Sequence, residues 1–226
     1  MARVTAVTLL KLAGSLAALY LAVALLITVF QDRLLFPRWA TGGEVRLPDR
    51  AERLSVDVPG VGPLVGTLLP ADRPRPAGAA RILGFGGNAW DADTLLLHLH
   101  ALFPDRDIVT FHYRGYGPSA GRPSADAILA DAERIHDTVI PALGGGRVVV
   151  VGLSLGAGPA AHLASLRPVD GVILVTPFDS IEALAADLYP WLPVRLLLRH
   201  RMDVADAIAR SSAPVAIITA ERDEIV

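Results

Sequence analysis

The sequence predicts an α/β fold, a mostly parallel sheet covered by helices on both faces, preceded by one transmembrane helix. Three observations predict it. From Arg81 onward, short β-rich apolar runs alternate with helically spaced stretches; a glycine-flanked serine stands where one such run meets a helix; and Leu12 to Phe30 carries no charged residue. Strands that alternate with helices build parallel sheets buried on both faces. Such sheets bind ligands at the carboxyl ends of their strands, so the residues that follow each strand are the ones to read for chemistry.

Taken in order, residues 1–33 read as a membrane anchor with its span at about 12–30. An uninterrupted apolar run of this length crosses a bilayer as a helix, whereas the apolar region of a cleaved signal peptide is usually shorter. Basic residues flank both ends, Arg3 and Lys11 before the run and Arg33 and Arg38 after it. The expected orientation is a short N-terminus inside and the domain on the extracytoplasmic side. Residues 34–53 form a juxtamembrane segment in which Leu34 to Trp39 makes an amphipathic exit at the membrane interface. The globular domain occupies 54–226.

Within that domain, Leu54 to Val58 alternates with period two, Pro59-Gly60 turns, and Leu64 to Leu69 returns as the second strand of a hairpin. Ala71 to Gly78, rich in proline, is a loop. Strands are expected at Arg81 to Phe85, Ile108 to His112, Val148 to Val151, Gly171 to Val175 and Pro214 to Thr219. Helices are expected at Ala92 to Phe103, Ala125 to Ile140, Leu155 to Leu166 and Val204 to Arg210. Between Asp179 and Asp203, the apolar, proline-broken stretch reads as a small helical cap over 179–203.

Composition excludes several functions. A chain of 226 residues, 52% hydrophobic and 19% charged, has enough apolar side chains for one sizeable core. Its net charge of -2 offers no basic stripe for nucleic acid. With no cysteine, it has neither a disulfide framework nor a thiolate nucleophile. No metal-ligand spacing, dinucleotide fingerprint or P-loop lysine is present, so neither a cofactor nor a metal is implied. The sequence assigns no oligomeric state.

Gly152-Leu153-Ser154-Leu155-Gly156 follows the expected strand ending at Val151 and opens a helix. A serine there projects as a nucleophile from a strained turn, and the glycines are required because a Cβ would collide with neighbouring strand and helix. The alternative is an ordinary glycine-rich turn cradling phosphate. Gly158 is expected to let the helix approach the sheet. Gly84-Phe85-Gly86-Gly87-Asn88-Ala89-Trp90 follows an earlier strand and, taken alone, is a turn signal.

With Tyr113-Arg114-Gly115-Tyr116-Gly117 and Thr176-Pro177-Phe178-Asp179-Ser180 in the same chain order, these segments resemble the membrane-anchored branch of the α/β-hydrolase superfamily. The resemblance implies an acyl hydrolase with Ser154 as nucleophile and the amides of Asn88 and Leu155 as oxyanion donors. It makes Asp223 the triad acid, with Glu221 and Glu224 as neighbouring competitors and Asp179 as a rival after the preceding strand. Arg114 is expected to brace backbone carbonyls and carboxylates rather than to take part in chemistry. The triad histidine follows the acid in this family, yet His98, His100, His112, His136, His162 and His200 all precede Asp223. A chain truncated before the final strand, helix and histidine is therefore expected, with Pro214 to Thr219 left as a bare edge.

The greasy cap beside an anchor points to an acyl or lipid-like small-molecule substrate and a membrane location. Two functions remain open. One is a serine hydrolase of ester or thioester bonds; the other is a catalytically silent pseudo-hydrolase or binding module held at the membrane.

Overall fold

The computed structural model describes residues 2–41, 43, 45–74 and 78–220. Helix α1 (Ala2–Leu35) comes first and is followed by a single 3-10 turn, Arg38–Ala40. Strands β1 (Glu52–Val58) and β2 (Gly62–Leu69) then form an antiparallel hairpin. After them come β3 (Arg81–Phe85), α2 (Ala92–Leu102), β4 (Ile108–Phe111), α3 (Ala125–Ala142), β5 (Val148–Leu153) and α4 (Ala157–Leu166). The remaining elements are β6 (Gly171–Val175), α5 (Ile181–Leu188), α6 (Val194–Leu197), α7 (Val204–Ala209) and β7 (Val215–Ile218).

Among the described residues seven strands form one sheet in the order β1-β2-β4-β3-β5-β6-β7. β2 meets β4 antiparallel, and from β4 to β7 every pair is parallel. The carboxyl ends of β3 to β7 therefore share one edge.

Successive residues of a strand point to opposite faces, which explains the near-continuous apolar runs. Leu83, Val109 and Val150 enter the larger core with Ile128, Ile135 and Leu163 of α3 and α4. Their neighbours Ile82, Ile108 and Val151 turn the other way, onto Leu95, Leu96 and Leu99 of α2. Each fully buried Leu or Ile contributes about 1.5–3 kcal/mol. Caps fix where the helices begin: the side chains of Asp91, Ser124, Ser180 and Asp203 accept backbone N–H groups at the starts of α2, α3, α5 and α7. At the far side of the sheet, β7 pairs with β6 and is exposed along its length.

The excursion between β6 and α7 is closed at its base. Ile181 N donates to Met202 O at 3.0 Å, Val204 N donates to Asp179 O at 2.9 Å, and Ser180 bridges Asp203. The segment above this closure carries α5 and α6.

Two local expectations are corrected. Phe36 does not lie in an interfacial collar: α1 runs on to Leu35, and Phe36 is buried in the larger core with its ring edge-on to His200 at 5.1 Å. Trp39, three residues on, is the exposed one. Gly158 makes room for Met202 rather than for the sheet, since a Cβ there would lie 2.6 Å from the Met202 sulfur.

Candidate active site

Strand β5 delivers Ser154 to the carboxyl edge of the sheet, where the chain turns at once into a short 3-10 turn and α4. Ser154 has φ +48°, a left-handed conformation uncommon for a residue with a side chain. The turn is tight enough that its two flanking glycines have no room for a Cβ. One built on Gly152 would overlap the carbonyl of Gly156, and one on Gly156 would overlap the carbonyl of Phe85. The start of α4 thus rests directly on backbone of β3 and β5, holding Ser154 at the crest. Strain of this kind persists only where surrounding packing enforces it, and it concentrates at functional sites.

The register of β3 and β5 pairs Phe85 with Gly152, so the residues following each strand emerge side by side. Gly87 accordingly stands beside the serine: a Cβ on it would lie 3.7 Å from Ser154 Cβ and 3.6 Å from Leu153 O. Asn88 is next. Among the described residues, no acceptor takes its backbone N–H. Leu155 is buried at the beginning of α4's turn.

The loop from Gly86 to Asn88 is propped from below by the segment after β4. Tyr113 Oη donates to Gly86 O at 2.7 Å, and Tyr116 Oη donates to Asn88 Oδ1 at 3.1 Å. The two rings pack edge to face with centroids 5.9 Å apart. Burial pushes both phenols' pKa values up, so they remain donors at any physiological pH. Between them Arg114 makes a two-pronged ion pair with the buried Asp131 of α3, Nε to Oδ2 at 2.9 Å and Nη2 to Oδ1. Arg114 therefore ties the loop to the helix layer.

Arg114 braces a carboxylate, as its sequence position leads one to expect, but the tyrosine props go unread in the sequence. The signal available was the spacing of the tyrosines, three apart around Arg114-Gly115, the spacing at which a turn brings both rings to one side.

His112, also after β4, is enclosed beneath this loop. Its Nδ1 lies 3.6 Å from Asp91 and its Nε2 3.6 Å from Asp93. Donor atoms of Asp91, Asp93 and His112 lie within 4.8 Å of one another, which raises the question of a metal. The two ring nitrogens face different carboxylates, however, and Asp93 is already engaged by Thr67 at 2.7 Å and by Arg53 at 2.8 Å. The cluster is a charge network under the site. Burial alone would raise the Asp93 carboxyl, but His112, Thr67 and Arg53 together outweigh it and hold the pKa at about 2.

The other histidines are also engaged away from Ser154. His98 contacts Thr94 O at 2.8 Å, His100 meets Asp72 at 3.0 Å, His136 meets Asp137 at 3.0 Å, and His162 meets Glu133 at 3.0 Å. His200 is buried, accepts the Ala125 N–H at Nδ1, and so donates from Nε2 to Asp32 at 2.7 Å. Asp179 is exposed, and its carbonyl holds the amides of Val204 and Ala205. Asp223, with Glu221 and Glu224, lies outside the described residues.

The family profile described as alpha/beta hydrolase fold matches residues 82–212, which include the elbow, the glycine loop and the propping segment. This chain belongs to the alpha/beta hydrolase fold family. Among curated relatives, the uncharacterized protein Rv2307c of Mycobacterium tuberculosis is 38% identical over 154 residues, covering 64% of the chain and 53% of that protein. An uncharacterized membrane protein of Saccharomyces cerevisiae, YNL320W, is 28% identical over 217 residues, 87% of the chain and 73% of that protein. The lysophosphatidylserine lipase ABHD12 of Danio rerio is 32% identical over 138 residues, 53% of the chain and 36% of that protein. The chain thus spans about half the length of the Mycobacterium relative it matches, and less of the lipase.

Among solved structures, an alpha-beta hydrolase from Vibrio vulnificus superposes with a TM-score of 0.70 at 17% identity, covering 85% of the chain and 76% of that structure. At that identity the likeness speaks for the fold alone. Among the described residues one helix, Thr5–Leu35, is long and apolar enough to span a membrane.

Proposed function

We propose that this chain is a serine acyl hydrolase, acting on ester or thioester bonds of lipid-like substrates and held at the membrane by α1. The observation that carries the reading is the left-handed Ser154 at the tip of β5 with Gly87 packed beside it. In the proposed cycle, Ser154 Oγ gives its proton to a general base and attacks the substrate carbonyl carbon. The tetrahedral oxyanion is held by the amides of Asn88 and Leu155. Collapse expels the alcohol or thiol, which takes up the proton, and water then releases the acyl group by the same route in reverse.

In this reading Asp223 orients the general base; the six histidines of this sequence each meet other partners among the described residues. An acyl substrate is supported by the lipase activity in the Danio rerio relative's name and by the apolar segment above β6. Membrane attachment is supported by the length of α1 and by the name of the yeast relative. An extracytoplasmic domain is part of this proposal, although basic residues stand on both sides of the span, so charge does not set the orientation.

The engagement of all six histidines also favours a second reading, a membrane-held binding module that keeps the pocket without turnover. Labelling of the folded chain by a fluorophosphonate separates the two. Strong labelling that vanishes in Ser154→Ala supports an activated serine; a folded chain that stays unlabelled overturns the enzyme reading for these 226 residues.

A further inference from the structure

Helix α1 is longer than a bilayer requires. Its 34 residues extend about 51 Å at 1.5 Å per residue, against a hydrocarbon core of about 30 Å. The surplus is not left free at the exit. The segment between β6 and α7 lies alongside the second half of the helix, with Tyr20 Oη donating to Trp191 O at 3.0 Å and the two rings edge to face at 6.2 Å. Further along, Gln31 Nε2 donates to Leu197 O at 3.2 Å and accepts the Arg199 N–H on Oε1 at 2.8 Å. Arg199 and His200 close on Asp32 at 3.0 and 2.7 Å. Tyr20 falls within the uncharged Leu12 to Phe30 run, so this segment stands level with part of the stretch that crosses the membrane.

Helix and segment do not meet flush. Between them is a cavity of about 400 Å³, within the range of small-molecule sites, with Ile27, Leu34, Leu184, Leu188, Leu192 and Leu197 among its walls. Of its three polar side chains, Tyr189 is half-exposed and the other two are spent. The Thr28 hydroxyl donates to Ala24 O at 2.8 Å, and the Gln31 amide is taken by Thr28 O, Leu197 O and Arg199 N. A sugar or charged headgroup would lose its hydration there with little in return, whereas an alkyl chain loses nothing. The segment also leaves apolar surface open, with Leu196 largely exposed and Leu188 and Trp191 half-exposed. Exposed aliphatic and aromatic residues beside a spanning helix suit the hydrocarbon and its interface.

We propose that this cavity is a binding site for one acyl chain of a membrane lipid, entered sideways from the leaflet beside α1. The inference rests on reading α1 as a membrane helix and deepens the substrate class proposed for Ser154. It gives the helix a second role as one wall of a lipid site.

The test uses the full chain in nanodiscs of phosphatidylcholine that carries a diazirine midway along one acyl chain, followed by irradiation and peptide mapping. Adducts are expected on the peptides holding Leu184 to Leu188 and Val194 to Leu198, as well as on the Leu12 to Leu26 stretch of the helix. Filling the cavity with Ala185→Trp or, separately, Leu197→Phe should lower the cavity adducts at least tenfold and leave those on the helix unchanged. Either variant serves, provided it elutes and melts as a folded chain. Adducts on the helix with none in the cavity, or cavity adducts that neither filling variant lowers, overturn the proposal while sparing the membrane reading. Absence of adducts from both regions overturns the two together. Protection of the cavity peptides that appears only in discs holding two copies assigns the space to a second chain and also overturns the proposal. Fluorophosphonate labelling of Ser154 in the same discs reports on the serine independently.

Discussion

The molecule holds its two functional regions in opposite ways. Around Ser154 the positions are set by backbone lying on backbone: glycines without space for a Cβ, a left-handed serine, and tyrosine and arginine props under the adjoining loop. Between α1 and the segment above β6, side chains span a 400 Å³ cavity, and a few hydrogen bonds at its ends hold the joint. A reacting centre tolerates little displacement, so it is built from the parts that deform least. A site that admits a flexible chain gains from walls that can give.

The largest expected effect tests the rigid side of this contrast. Gly156→Ala places a methyl group on the Phe85 carbonyl, and since the obstruction is paired backbone it cannot be relieved by a rotamer change. The loss should exceed the roughly 1–3 kcal/mol usual for overpacking, leaving little soluble folded protein in an expression and melting comparison. A Gly156→Ala chain that melts like the parent would show that the elbow is not close-packed.

Next in size is Asp131→Ala, which strands Arg114 without its partner under the loop. Breaking a buried pair costs about 3–5 kcal/mol, or roughly 10 °C in melting temperature for a domain of this size. A shift under about 2 °C would mean that the loop is propped by the tyrosines alone.

A smaller effect follows from Asp93. Its folded pKa, about 2, lies below the value near 3.9 expected of an unfolded aspartate. A depressed carboxylate pKa stabilises the fold above the unfolded value, and that contribution is lost as pH falls from about 4 through 2. Urea midpoints of the parent should therefore fall more steeply than those of Asp93→Asn below pH 4. Parallel curves would remove Asp93 from the forces holding the charge network.

Whether each region was legible in the sequence follows from the same contrast. The strands and the elbow were readable because period-two burial and glycine sterics are local: Gly152, Ser154 and Gly156 declare their turn within five residues. The hairpin was readable for the same reason. Phe36 was misplaced because its burial depends on His200, a neighbour only in three dimensions. Gly158 was assigned to the wrong contact because Met202 arrives from beyond the next strand. The joint of Tyr20, Gln31 and Asp32 with residues 191–200 bridges more than 160 positions, and no pattern in either segment announces the other. Polar residues late in an apolar helix were the available hint, since a membrane helix rarely carries Gln31-Asp32 without a partner.

The mildest prediction asks whether the two regions act as one. Gln31→Leu removes the amide that links Leu197 and Arg199 to α1 and replaces it with a side chain the cavity accepts. Each such hydrogen bond is worth about 1 kcal/mol net, so the melting temperature should move by only a few degrees. Limited proteolysis between Leu188 and Arg201 should quicken about tenfold as the segment lifts from the helix more often, because local opening depends on the few contacts that close it. Whatever reactivity Ser154 shows towards a fluorophosphonate should stay within twofold, since nothing in the elbow or its props touches Gln31. If that reactivity fell in step with the faster cleavage, the separation drawn between the regions would fail, and the joint would have to be counted among the elements that set the geometry of the serine.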